Sequence, residues 1–104
     1  GMSPAYRLTS GAESDIREIL QYTLEKWGAE QASKYAAILD RTIEKLAIGK
    51  LNGRKFSEKL PGIRVYRCEH HYIFFKSCSP VLVLAILHER MHLTHRLRER
   101  LEGS

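Results

Sequence analysis

Apolar residues fall along this chain in two rhythms, and the switch between them divides it. From residue 12 to residue 47 they recur every three or four positions. Ala12, Ile16, Ile19, Leu20, Thr23, Leu24 and Trp27 form one set; Ala32, Tyr35, Ala36, Leu39, Ile43, Leu46 and Ala47 form the next. That spacing predicts two amphipathic helices, each with one face to bury. From residue 63 the rhythm shortens. Residues 63–68 and 71–77 read as two strands around a tight turn, an antiparallel hairpin. Pro80 then precedes the unbroken run Val81-Leu82-Val83-Leu84-Ala85-Ile86-Leu87. A solid apolar run rich in β-branched residues suits a strand covered on both faces.

Local signals set the expected boundaries. Residues 4–9 read as a short first strand. Ser10-Gly11-Ala12-Glu13 fits a capping box, with Ser10 as N-cap and Glu13 reaching back to the Ser10 amide. Gly28 ends the first helix and the second follows almost at once, which predicts an antiparallel helical hairpin. Glu30 and Lys34 stand four apart in the favourable order, and Gly49 stops the second helix. Residues 50–62 are a polar, basic connection. Residues 93–101 predict a short, very basic helix carrying Arg96, Arg98 and Arg100. The expected architecture is α+β, in the order β-α-α-β-β-β with a short C-terminal helix. An antiparallel sheet, with residues 81–87 in its interior, carries the 10–49 helical hairpin on one face.

Composition narrows this picture only slightly. A chain of 104 residues with 43% hydrophobic and 28% charged residues is one ordinary globular domain. The net charge of +5 is compatible with nucleic acid, acidic proteins or ribosomes and selects none of them. Cys68 and Cys78 have nine residues between them, mostly in one expected strand. At about 3.3 Å per residue they are out of disulfide reach, so both are expected as free thiols in a reducing cytoplasm. The CxxC spacing of zinc sites is absent. His88 ends a strand, so it cannot share a helical face with His92 and His95, and no metal site is expected. His70-His71 falls at the hairpin turn and is expected to be solvated. No apolar run approaches the roughly 20 residues that span a bilayer, and no signal segment is expected. Gly1 ahead of Met2 reads as a scar of tag removal.

The candidate chemistry stands where the apolar run closes on His88-Glu89-Arg90-Met91-His92. Ile86-Leu87-His88-Glu89-Arg90-Met91 resembles the ILHxRM signature that closes the sheet in ParE-type toxins of bacterial toxin–antitoxin pairs. Further landmarks agree in order: Ala12-Glu13-Ser14-Asp15-Ile16, Trp27-Gly28, Ala32 with Tyr35, Gly53-Arg54, Leu60-Pro61-Gly62-Ile63-Arg64, and Tyr72-Ile73-Phe74-Phe75. The chain therefore resembles the RelE/ParE toxin superfamily over nearly its whole length, and ILHxRM favours ParE over RelE. His92 departs from the pattern, because many such sequences carry an acidic residue after the methionine.

The resemblance implies a cytoplasmic toxin of a type II toxin–antitoxin system, without a cofactor and away from membranes. Its implied target is DNA gyrase, trapped on cleaved DNA, with no catalytic step by the toxin itself. A ParD-like antitoxin would neutralise it in a toxin–antitoxin hetero-oligomer. The expected toxic surface is Arg64, His88, Arg90 and Met91 with the basic tail of Arg96 and Arg98. The alternative is a RelE-like ribosome-dependent mRNA endoribonuclease. Cleaving RNA through its own 2′-hydroxyl needs a base, a cation at the phosphate and an acid for the leaving oxygen. Arg64, Arg67, His88 and Arg90 are the residues available, with Arg64 and His88 meeting on one rim if their strands are neighbours. A third reading is a decayed toxin that keeps only partner binding. Trp27 and Tyr35 are expected to pack in the core near the helical turn; the other possibility is an exposed groove for an antitoxin segment.

Overall fold

A computed structural model describes residues 6–103. The first strand, β1, spans Tyr6–Leu8 and leads directly into helix α1, Ser10–Trp27; Pro4 and Ala5 of the expected strand lie outside the described residues. The N-cap is Thr9 rather than Ser10. Thr9 Oγ1 accepts the Ala12 N–H at 3.0 Å. The Thr9 amide is still bound to the Val83 carbonyl at 3.1 Å, so the extended conformation that a cap requires falls there. Ser10 is already helical.

Gly28 alone joins α1 to α2, Ala29–Ala47. Its φ of 94° is open to glycine and strained for other residues, and its amide closes on the Leu24 carbonyl at 3.0 Å. At the far end Gly49 has φ 81°. Its N–H bonds to Leu46 O at 3.3 Å and that of Lys50 to Lys45 O at 2.9 Å, the paired bonds of a Schellman ending. The Glu30–Lys34 pair forms at 3.9 Å on the exposed surface.

The remaining elements are β2 (Arg54–Lys55), β3 (Ile63–Cys68), β4 (His71–Lys76), β5 (Val81–His88) and α3 (Leu93–Glu102). The sheet order is β1-β5-β4-β3-β2. The β3-β4-β5 meander is antiparallel and β5 lies in the interior, as expected. Two features were not. The polar connection contains β2, which pairs antiparallel with β3, and β1 joins β5 in parallel, so the sheet is mixed. The helices run out and back, and β2 adds a reversal before the meander. β5 therefore returns in the same sense as β1.

Register shifts at Phe74/Phe75, which face Ala85 and Val83 respectively, leaving Leu84 as an extra residue in β5. Such a bulge bends the strand and frees backbone groups from the ladder. Two cores result. Ile73, Phe75, Val83 and Ile86 pack with Ala12, Leu39 and Ile43 of the helical hairpin. Val65, Phe74, Leu84, Ala85 and Leu87 pack with Leu97 of α3 on the opposite face. This explains the solid apolar run: β5 has a helical layer on each side.

Candidate functional site

β5 stops at His88 because of the contacts that follow it. Ile86 enters the hairpin core and Leu87 the α3 core. His88 Nδ1 then accepts the Arg90 N–H at 3.1 Å, and the His88 carbonyl accepts the Met91 N–H at 3.0 Å. That turn leaves Arg90 and Met91 exposed, and His92 caps the basic helix α3. Arg96 and Arg98 are exposed on α3.

The same end of the sheet gathers ionisable groups. His71 and His88 face each other across β4 and β5, with ring centroids 5.1 Å apart; His70 lies 6.5 Å from His88. The Glu89 carboxylate takes Arg67 Nη2 at 2.6 Å and lies 3.2 Å from His70 Nδ1. The His70 hydrogen bond, with help from the Arg67 charge, holds this carboxyl below its ordinary range. Tyr35 OH stands 2.7 Å from His71 Nδ1 and 3.2 Å from the Cys68 carbonyl. Burial, reinforced by the neighbouring His88 and His70, pushes His71 down to about 4. His71 is thus neutral near pH 7. His70 is solvated as expected, whereas His71 is half-buried and partnered.

Arg64 and His88, which would have met on one rim had their strands been neighbours, do not meet. β4 separates their strands, and Arg64 pairs with Phe75 toward the other end of the sheet, where it donates to the Gly53 carbonyl. Of the four residues considered for RNA cleavage, Arg67, His88 and Arg90 lie toward this rim and Arg64 is remote from it. Trp27 is 66% exposed, so it is not core. The Lys26 ammonium lies over its ring at 5.7 Å and over that of Tyr22 at 5.5 Å. Tyr35 is half-buried and packs against the hairpin core.

The sequence reading named two residues without seeing that they pair. Asp15 Oδ2 accepts the Ile86 N–H at 2.9 Å, and Arg100 grips the same carboxylate at 2.8 and 2.9 Å. Arg100 also donates to the Leu84 carbonyl at 3.1 Å, which Thr9 Oγ1 reaches at the same distance. These are backbone groups beside the bulge, beyond the end of β1. Arg100 was expected only as one cation of a very basic helix, yet its side chain is 27% exposed and that of Asp15 is 11%. The hydrogen bond to Asp15 raises the Arg100 pKa further. Gly11 leaves room for this grip, since a Cβ there would meet Arg100 at 2.7 Å. The only sequence hint was Asp15 standing inside the Ala12–Ile16 landmark.

Comparison with known proteins bears directly on this arrangement. Residues 6–93 match the family described as ParE toxin of type II toxin–antitoxin system, parDE. Toxin ParE of Escherichia coli is 48% identical over 101 residues, covering 95% of this chain and 98% of the relative. Toxin ParE1 of Caulobacter vibrioides is 32% identical over 87 residues, covering 84% and 91%. The chain belongs to the ParE toxin family. Its fold also matches a chain of the chromosomal ParDE system from P. aeruginosa, with TM-score 0.68 at 23% identity, covering 80% of this chain and 92% of that one.

The ParE landmarks have clear structural work in this chain. The Ala12–Ile16 segment supplies Asp15, and the closing signature supplies Ile86, whose amide Asp15 binds. The signature histidine builds the turn that presents arginine and methionine. Among the described residues, no three His, Cys, Asp or Glu side chains gather as a metal site. No described helix is long and apolar enough to cross a membrane.

Proposed function

We propose that this ParE-family toxin inhibits DNA gyrase in the cytoplasm and is neutralised by a ParD-like antitoxin. The observation that carries the reading is the strand-end turn. His88 spends its ring nitrogen on the Arg90 amide, and the turn leaves Arg90 and Met91 exposed just before the basic helix α3. A cation and a flexible apolar side chain beside exposed Arg96 and Arg98 form a surface for a macromolecular partner. His88 builds the turn, and Tyr35 holds His71, whose ring faces His88. Arg64 acts at a distance from it, as a brace on Gly53. The mRNA nuclease alternative loses Arg64 from the rim, while Arg67 and Arg90 stay near His88.

The test is a supercoiling assay with purified toxin and gyrase, run beside translation on ribosomes. Accumulation of cleaved DNA, relieved by antitoxin, with intact ribosome-bound mRNA, is the expected result. Arg90→Glu should weaken poisoning at least tenfold without changing the circular dichroism spectrum. Cut mRNA with unaffected supercoiling would replace this reading with the nuclease.

A further inference from the structure

The closing turn fixes which ring nitrogen of His88 carries a proton. Nδ1 accepts the Arg90 N–H at 3.1 Å. A backbone amide only donates, so Nδ1 holds its lone pair and the proton of the neutral ring sits on Nε2. A side chain that accepts the amide two residues on is the arrangement of an Asx-turn, which asparagine and aspartate ordinarily make. The root of the turn is held independently, because the Glu89 N–H donates to the His70 carbonyl at 2.8 Å. The ring itself stands at 90° to His71 and 6.5 Å from His70. The titratable and charged groups around it are His70 at the β3–β4 turn, His71 of β4, Tyr35 of α2 behind His71, and Glu89 and Arg90 in the turn. The Glu89 carboxylate is already engaged by Arg67 and His70.

We infer that His88 is a positioning residue, and that it presents Arg90 and Met91 only as the neutral, Nε2-protonated ring. A proton on Nδ1 replaces the acceptor with a donor that faces the Arg90 N–H, and the turn opens beyond Glu89. The same tautomer removes His88 as the base for an RNA 2′-hydroxyl: one nitrogen spends its lone pair on the backbone, and the other already holds a proton. Asparagine carries an oxygen at the place of Nδ1 and takes up no proton, so it can serve the turn. Glutamine carries its oxygen at the place of Nε2 and cannot. The inference rests on the gyrase reading for its activity arm, whereas the tautomer belongs to the toxin alone.

The experiment follows the ring nitrogens of ¹⁵N-labelled toxin by NMR from mildly alkaline to mildly acidic pH. His88 should show an unprotonated Nδ1 with a scalar coupling across the hydrogen bond to the Arg90 amide. That coupling should vanish in step with protonation of His88. In His88→Asn the Arg90 amide shift should stay flat over the same range. At neutral pH, His88→Gln should weaken gyrase poisoning at least tenfold and His88→Asn no more than about threefold. A proton on Nδ1 of the neutral ring, or an Arg90 amide indifferent to His88 protonation, overturns the inference and leaves the gyrase reading intact. Equal losses in the two variants, both folded by circular dichroism, also overturn it and give His88 a direct contact with the partner. No poisoning by the unaltered toxin overturns the gyrase reading alone. The spectra use the unaltered protein, so the test survives any loss of folding in the variants.

Discussion

The two flanks of the sheet face the same problem and resolve it differently. On one side β1 ends at Leu8, and β5 continues alone from Leu84. On the other β2 covers only Val65 and Arg64, and β3 continues past it. Along β5 the free amide of Ile86 and carbonyl of Leu84 are taken by Asp15, Arg100 and Thr9. Those residues come from the helical layers on both faces, so one ion pair fastens α1, β5 and α3 together. Among the described residues no comparable clasp forms along β3, and the edge borders a depression lined by Arg54 and Arg67. A closed edge contributes stability; a short, cation-flanked open edge remains available to a partner while resisting aggregation. The neighbouring ion pairs differ in the same way. Asp15–Arg100 is bidentate, with side chains 11% and 27% exposed, whereas Arg67 and Glu89, 55% and 27% exposed, meet through a single guanidinium nitrogen.

Cutting the closed edge should have the largest effect. Asp15→Ala leaves Arg100 without its carboxylate and the Ile86 amide without an acceptor, and should cost about 3–5 kcal/mol in urea unfolding. Combining it with Arg100→Met should cost less than the sum of the two single changes, because neither charge is then stranded. Gly11→Ala forces the new Cβ against Arg100 and should cost about 1–3 kcal/mol. In an Arg100→Ala background that cost should nearly vanish, which unfolding of the double variant would check.

The histidine end of the sheet gives a pH test. His71 is held at about 4, against an ordinary value of 6.5. Between these values the unfolded chain binds a proton that the folded chain refuses. Stability should therefore fall as pH drops from 6.5 toward 4 and level off below. The loss should be on the order of 1–3 kcal/mol, followed as the urea midpoint across that window. His71→Gln, which retains an acceptor for Tyr35, should flatten the profile. The smallest effect belongs to the Arg67–Glu89 pair: Glu89→Gln keeps an acceptor for Arg67, which is 55% exposed and screened by solvent, and should leave the urea midpoint within measurement error. A large loss there would remove the contrast between the two ion pairs.

Much of the fold was legible because its signals are local. Helical spacing located both long helices, and Gly28 and Gly49 marked their ends. The apolar run 81–87 indicated an interior strand, and β5 is one. The N-cap slipped by one residue because the strand bond of Thr9 to Val83, distant in sequence, decides where extended backbone ends. β2 was missed because two exposed residues, Arg54 and Lys55, carry no apolar alternation. Trp27 continues the apolar spacing of α1, and spacing alone assigned it to the core. Trp27 nevertheless stands exposed, together with Tyr22, outside both cores. At the site, the signature located the turn at His88, but the separation of Arg64 from His88 required the strand order.

By itself, the sequence determined the type and order of every element but β2, the doubly covered strand and the family signature at its end. Each follows from residues close together in the chain, where periodicity, turn chemistry and propensity act directly. Only the tertiary structure decided that β1 runs parallel to β5, that Asp15 meets Arg100 across 85 positions, and that one sheet edge is sealed while the other stays open. Those outcomes depend on which backbone groups a bulge and two short strands leave unpaired, and on which side chains arrive from distant helices to bind them. An unpaired buried amide or carbonyl is costly wherever it stands. The neighbour that relieves it is chosen by three-dimensional proximity, which no local pattern along the chain records.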